Sequence, residues 1–423
     1  MILRDKKTRL VFHNGVLTIG GTIIEVIYED SHIFFDFGSE YNPASEIQPE
    51  TLQDLLDEQL LPYLDNMYDT TINLKGYQSK DNIFSNTAVF VSHVHLDHSK
   101  VINYLDGDIP LYTLNGTKHL LETLNINNNF LFPRHGNHEW PTRKIIGLED
   151  NDTVEVGKIS VKVMPVDHDA YGACGLVITT PDLVIAYTGD IRLHGYKKDK
   201  TIQFCEQSEN CDVLIIEGVS VSFQELDEEK PLDIQSERDL IEKINDIVNT
   251  NPNKQITFNY YISNIDRVLN IIDTNQRTVV LDAYYAYVVK QVTGKQVNYF
   301  RTDDKNYNLD KELEIDLNQL LEDKGNYLWQ LSENIVNIVP KLSSGGIYIH
   351  SNAIPLGMFD PNYEPFIKKF DEQNITVEII QNSGHAYPQD LVEIINLVKP
   401  KLLIPIHSYK PERLVNKYGS ATR

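Results

Sequence analysis

One stretch constrains this chain more than any other: Thr87-Ala88-Val89-Phe90-Val91-Ser92-His93-Val94-His95-Leu96-Asp97-His98, a short apolar run ending in three histidines and an aspartate. Ala88 to Val91 lacks helical periodicity and is rich in β-branched and aromatic residues, so it predicts a buried strand. Side chains of an extended backbone alternate between faces, which would send His93, His95 and Asp97 the same way from the strand's end, with His98 leading into a helix through Ser99-Lys100-Val101. Imidazoles and a carboxylate gathered this closely are costly to hold together unless a cation neutralises and orients them. The stretch therefore predicts a metal site at a strand tip. Imidazole and carboxylate without thiolate suit zinc first and manganese second.

The pattern recurs along the chain. Ile159 to Val166 alternates and delivers Asp167-His168-Asp169, and Leu183 to Tyr187 runs into Thr188-Gly189-Asp190. Val213 to Ile216 ends in Glu217, Ile375 to Ile380 precedes Asn382-Ser383-Gly384-His385, and Leu402 to Ile406 leads into His407. One polar residue at a strand end is ordinarily structural, but the recurrence argues for a single site assembled from strand tips. Asp36, closing Ile33-Phe34-Phe35, fits either a turn cap or a support for metal ligands. Helices are expected between the strands: around Leu52, Leu55, Leu56 and Leu60, over Gly116 to Leu124, after Ser236 with Asp239 as its capping partner, over Asn264 to Ile272, and from Pro388. This alternation predicts a layered α/β fold.

Composition sets the bounds. A chain of 423 residues with 41% apolar and 23% charged residues is that of a soluble globular protein with room for two or three domains. No apolar run reaches membrane-spanning length and the first ten residues are charged, so no membrane partner is expected and a cytoplasmic location is. Cys174, Cys205 and Cys211 lack metal-type spacing, which argues against a disulfide framework and fits a reducing compartment. The net charge of −23 would repel a polyanion from the surface at large. Two divalent cations, offset by two carboxylates, would still leave a positive pocket for a phosphodiester.

Taken together, these residues resemble the metallo-β-lactamase superfamily, and within it the β-CASP nucleases of the ribonuclease J type. The similarity is carried by His93-x-His95-x-Asp97-His98, Asp167-His168, Thr188-Gly189-Asp190, Ser383-Gly384-His385-Ala386 and Ile404-Pro405-Ile406-His407. It implies an αβ/βα sandwich over residues 1–219 and 373–423, interrupted by an α/β β-CASP domain over 220–372. It further implies two divalent metal ions, one held by His93, His95 and His168, the other by Asp97, His98 and His407, with Asp190 between them. Asp97 would orient or deprotonate the attacking water, Glu217 would be the carboxylate of the first β-CASP motif, and His385 would be the general acid. Ser383 and Gly384 would hold a substrate phosphate. The implied activity is hydrolysis of single-stranded RNA, exonucleolytic from the 5′ end, endonucleolytic or both, by a chain for which a homodimer is compatible. The pattern departs from its relatives where Gly218-Val219-Ser220 follows Glu217 and at Tyr409. Two other readings compete: a hydrolase of small esters, lactones or thioesters, favoured by the acidic surface, and a DNA-directed nuclease.

Overall fold

The computed structural model describes residues 6–40, 49–76, 86–226 and 233–422. Two compact units emerge: one of described residues up to 226 together with those from Gly384 onward, the other of residues 233–383.

The first unit holds two sheets. One comprises β1 (Arg9–Asn14), β2 (Ile23–Tyr28), β3 (Ser31–Phe35), β4 (Thr87–Phe90), β5 (Leu111–Leu114) and β6 (Ile146–Leu148), paired in that order. The other comprises β7 (Thr153–Val156), β8 (Ile159–Pro165), β9 (Cys174–Thr179), β10 (Val184–Tyr187) and β11 (Val213–Glu217), and takes in two strands from the far end of the chain, Leu402–Ile406 and Ser420–Ala421, beside β11. Ile24, Val26, Phe35 and Phe90 of the first sheet pack against Val161, Val163, Ile185, Ile215 and Ile404 of the second. Residues of alternate parity on the second sheet, among them Ala186, Leu214, Ile216 and Leu403, turn the other way. They meet Phe204 of the helix Lys198–Gln207 and Leu391, Ile394 and Ile395 of the helix Pro388–Val398. Burial on both faces is why β10, β11 and Leu402–Ile406 are apolar runs rather than alternating ones. Each such buried aliphatic side chain contributes roughly 1.5–3 kcal/mol.

Register brings the polar strand tips to one edge. Tyr187 pairs with Ile215, and Glu217 pairs with Ile406, so Asp190, Glu217 and His407 follow parallel neighbouring strands. In the first sheet Phe35 pairs with Phe90, which puts Asp36 beside the chain leaving β4. The extended backbone does not persist to Asp97 as the sequence suggested: β4 stops at Phe90, and Leu96–Ser99 is a single helical turn. Neighbouring backbone explains why the turn forms there. The Gly21 N–H donates to Asp97 O (2.9 Å), and the Phe37 N–H donates to His98 O (2.8 Å), satisfying carbonyls that a longer helix would have used itself.

The second unit is built on a parallel sheet of β12 (Ile256–Tyr260), β13 (Thr278–Asp282), β14 (Asn298–Phe300), β15 (Tyr327–Gln330), β16 (Ile347–Ser351) and β17 (Thr376–Ile379), ordered β14-β13-β15-β12-β16-β17. The remaining two strands of the first unit are numbered β18 (Leu402–Ile406) and β19 (Ser420–Ala421). Ser236 caps the helix Glu237–Thr250 by accepting from the Asp239 N–H at 3.2 Å. Because β17 pairs with β16, the second unit continues to residue 383, past the boundary at 372/373 expected from sequence. The helix Val219–Phe223 stays with the first unit, where it packs against Pro411–Arg413.

Candidate metal centre

Two groups of side chains in the first unit have the donor chemistry for a cation, and Asp190 is common to both. His93, His95, His168 and Asp190 form one; Asp97, His98, Asp190 and His407 form the other, and within each group one ligand atom per residue lies within 4.8 Å of all the others. Tetrahedral ligands at about 2.1 Å from one cation stand roughly 3.4 Å apart. Asp190 Oδ2 is 3.5 Å from His93 Nε2 and 3.2 Å from His98 Nε2, and Asp97 Oδ2 is 3.3 Å from His407 Nε2. His168 Nε2 and His95 Nδ1 face each other at 3.1 Å, where two lone pairs repel unless a proton or cation lies between them.

The opposite ring nitrogens are fixed. His98 Nδ1 donates to Asp36 Oδ2 (2.8 Å), and His168 Nδ1 donates to the Gly384 carbonyl (2.7 Å). Ser92 Oγ donates to Asp36 Oδ2 (2.9 Å), leaving a lone pair for His93 Nδ1 at 2.9 Å. These bonds turn Nε2 of each ring toward the centre. Nε2 of His93, His98 and His407 is buried with no hydrogen-bond partner. Buried polar atoms normally have one, so three orphans aimed at shared carboxylates fit a cation.

Electrostatics separates the two groups. Burial, aided by neighbouring imidazoles, pushes His93 well below the usual histidine range and His168 down to about 3. In His98 and His407 burial acts the same way but is outweighed by carboxylates: Asp190, Asp97 and Asp36 hold His98 well above its ordinary value, and Asp190 and Asp97 hold His407 at about 9. Burial alone would raise Asp190, yet His98, His407 and His385 hold it well below the carboxylate range. Without a cation, protons on His98 and His407 balance these carboxylates.

Close approach and backbone strain shape the same edge. Gly20 sits at φ +85°, and a Cβ there would come within 2.4 Å of Asp97 Cβ; Gly38 leaves no room at all beside Asp97 O. Asp36 (φ +61°) and His407 (φ +53°) are non-glycine residues in the left-handed region, each at a strand end and each bearing on the centre. Such strain costs of order 1–3 kcal/mol and persists where the surroundings over-determine it.

His385 stands at the rim, with Nδ1 3.4 Å from Glu217 Oε1 and 3.8 Å from Asp190 Oδ2. Burial would lower its pKa, but Glu217 and Asp190 push it up to about 10. Gly384 tolerates no Cβ, which would lie 2.6 Å from Asp169 Oδ2, and Ser383 belongs to the second unit. Sequence reasoning left Asp36 between two roles and gave Asp169 none. The structure places Asp169 Oδ1 3.3 Å from His168 Nε2 and 3.7 Å from His95 Nε2. Its place directly after His168 was the one available signal.

Comparisons with known proteins agree with this picture. A beta-lactamase superfamily domain matches residues 74–245. Ribonuclease J of Mycoplasma pneumoniae is 24% identical, the match covering 96% of this chain and 69% of that protein. A Methanocaldococcus jannaschii protein named "Probable RNase MJ4" is also 24% identical, over 94% of this chain and 92% of its own length. A crystal structure of a protein of unknown function from Enterococcus faecalis V583 matches with a TM-score of 0.92 and 45% identity, covering 99% of this chain and 98% of that one. A two-sheet sandwich with imidazole and carboxylate donors along one edge defines a hydrolase of the metallo-β-lactamase fold, with a His/Asp cluster compatible with a divalent metal site. The beta-lactamase superfamily match and the relatives named Ribonuclease J, which cover nearly the whole chain, support a metallo-β-lactamase, β-CASP ribonuclease J-like family. Among the described residues no helix is long and apolar enough to cross a membrane.

Proposed function

We propose that this protein is a metal-dependent ribonuclease that hydrolyses phosphodiester bonds of single-stranded RNA. The observation that carries this reading is the pair of donor groups sharing Asp190, with the His385–Glu217 pair at their rim. The relatives named ribonucleases, matched along nearly the whole chain, support it. We read the first unit, including the residues from Gly384 onward, as the metallo-β-lactamase domain and the second unit, residues 233–383, as the β-CASP domain.

His93, His95, His168 and Asp190 would hold one divalent cation, and Asp97, His98, His407 and the same Asp190 a second, zinc before manganese. Bound there, such ions supply Lewis acidity to the phosphoryl oxygens and to the attacking water. Asp97 is the less enclosed of the two carboxylates, and it would orient that water or take its proton. His385 presents an imidazolium proton to the leaving oxygen, while Glu217 behind it fixes the ring and favours the charged form. Ser383 and Gly384, its immediate chain neighbours, are assigned the substrate phosphate through hydroxyl and backbone N–H.

The test is metal-loaded protein on 5′-labelled single-stranded RNA bearing a monophosphate, triphosphate or hydroxyl, beside matched DNA and a panel of lactones and thioesters. Labelled mononucleotide released from monophosphorylated RNA indicates a 5′ exonuclease, and internal fragments an endonuclease. Intact RNA with lactone turnover, or equal rates for wild type and Asp97→Ala, refutes the reading. His385→Ala should keep its metal content by atomic absorption and lose about 10²–10⁴ in turnover; an unchanged rate removes the general-acid assignment.

A further inference from the structure

Two aromatic side chains project from the segments that follow β11 and β18, just beyond Glu217 and His407, and the chemistry above uses neither. Phe223, at the end of the helix Val219–Phe223, is 69% exposed, and Tyr409, two residues beyond His407, is 50% exposed. Their rings meet edge to face, with centroids 6.2 Å apart and planes at 88°. Both are held firmly. Ser222 Oγ accepts the Tyr409 N–H at 2.9 Å and lies 3.0 Å from Ser408 Oγ. Arg413 donates to the carbonyls of Val221 (2.8 Å) and Gln224 (3.0 Å) on either side of Phe223, and pairs with Glu225. Large aromatics left in solvent yet anchored by this many polar contacts form a prepared surface rather than a loose loop.

We propose that Phe223 and Tyr409 are a stacking platform for a nucleobase of the RNA strand cut at the metal centre. The proposal rests on the nuclease reading for the identity of the strand. Charge decides in favour of a base over the backbone: a chain of net charge −23 gains little from phosphates away from its cations, whereas stacking on an aromatic face needs no positive charge. Phe223 carries no hydrogen-bonding group, so the platform accepts any base. An edge-to-face contact covers at most one face of one ring, and with Phe223 69% and Tyr409 50% exposed the pair keeps aromatic surface in solvent for a base.

The experiment measures anisotropy of a fluorescein-labelled, phosphorothioate-linked single-stranded RNA with the full metal-loaded chain, against the same backbone lacking bases. Phe223→Ala and Tyr409→Ala should each weaken binding of the base-bearing strand about tenfold and leave the abasic strand unaffected, with Phe223→Trp binding like wild type. Equal binding by wild type and variants, or equal weakening on both strands, overturns the platform. So does size-exclusion showing that Phe223→Ala converts a dimer to a monomer, which makes this face a contact between copies. The nuclease reading fails separately: wild-type protein that binds base-bearing RNA in a Phe223-dependent way but cleaves no RNA retains the platform and loses the reaction.

Discussion

Replacing Asp36 with asparagine removes one charge and almost no volume, and its consequences follow from four hydrogen bonds. Oδ1 accepts from the Ser92 N–H at 2.7 Å, while Oδ2 accepts from Ser92 Oγ, His98 Nδ1 and the Tyr187 hydroxyl. An amide offers only one acceptor. If its oxygen takes the Oδ2 position, its NH₂ confronts the Ser92 N–H and a buried backbone donor is orphaned, which costs about 1–3 kcal/mol. If the oxygen takes the Oδ1 position, the two hydroxyls can rotate to accept, but His98 must accept at Nδ1 and carry its proton on Nε2, where a cation would bind. Asp36→Asn should therefore lose about 1–3 kcal/mol in urea unfolding of the metal-free protein, and weaken metal binding about 10–100-fold at the group containing His98. Binding at the group containing His93, His95 and His168 should change less, because Ser92 still orients His93. Calorimetric metal titration and denaturant unfolding read both effects. Unchanged stability together with unchanged affinity would refute the assignment of Asp36 as the residue that fixes the His98 tautomer.

In the second unit, Arg267 and Glu237 form a fully buried bidentate pair (2.9 and 2.6 Å), so Arg267→Ala should destabilise that unit by about 3–5 kcal/mol in chemical unfolding. Burial drives His350 down to about 4. Its native pKa lies below the unfolded value of about 6.5, so the unfolded state binds the proton first and stability falls as pH drops from about 6.5 to 4. His350→Gln should flatten that part of the profile by up to about 3 kcal/mol relative to wild type, read as midpoint shifts between pH 7 and pH 4. Cys174, Cys205 and Cys211 are buried free thiols, with Cys205 and Cys211 pushed up to about 12 by burial, and should react with a thiol reagent only after denaturation. Chelation should lower the melting temperature of wild-type protein and have a smaller effect on His98→Ala, by thermal scan with and without EDTA.

The sequence revealed strands more readily than the geometry at their ends. β11 and β18 are apolar runs and β8 alternates, each announced by its length and flanking polar residues, and Pro388 marks the start of its helix because proline needs no partner for its missing N–H. The helical turn at Leu96–Ser99 was legible only as polar residues after a strand, since its carbonyls are satisfied by Gly21 and Phe37, some 60 to 75 residues earlier. Asp36 stayed between two roles and Asp169 had none for a similar reason: their roles depend on which imidazole the fold brings alongside. Nothing local in Gly20-Gly21 distinguishes it from an ordinary tight turn, and the fit of Gly20 against Asp97 is a matter of tertiary approach. The second unit's upper boundary depends on β17 choosing β16 as its neighbour, which no local pattern encodes.

β18 lies beside β11 in the second sheet, yet about 185 residues separate them in the chain, and His407 arrives only with β18. During synthesis from the N-terminus, the ribosome will have released β1 to β11 and then the whole of the second unit before the last ligand exists. A nascent chain at that stage carries the His93 group complete and the Asp97 group one donor short. The growing polypeptide is thus kept from assembling both donor groups until β18 and His407 have been made, and any cation acquired earlier can occupy only the half of the centre made by His93, His95, His168 and Asp190.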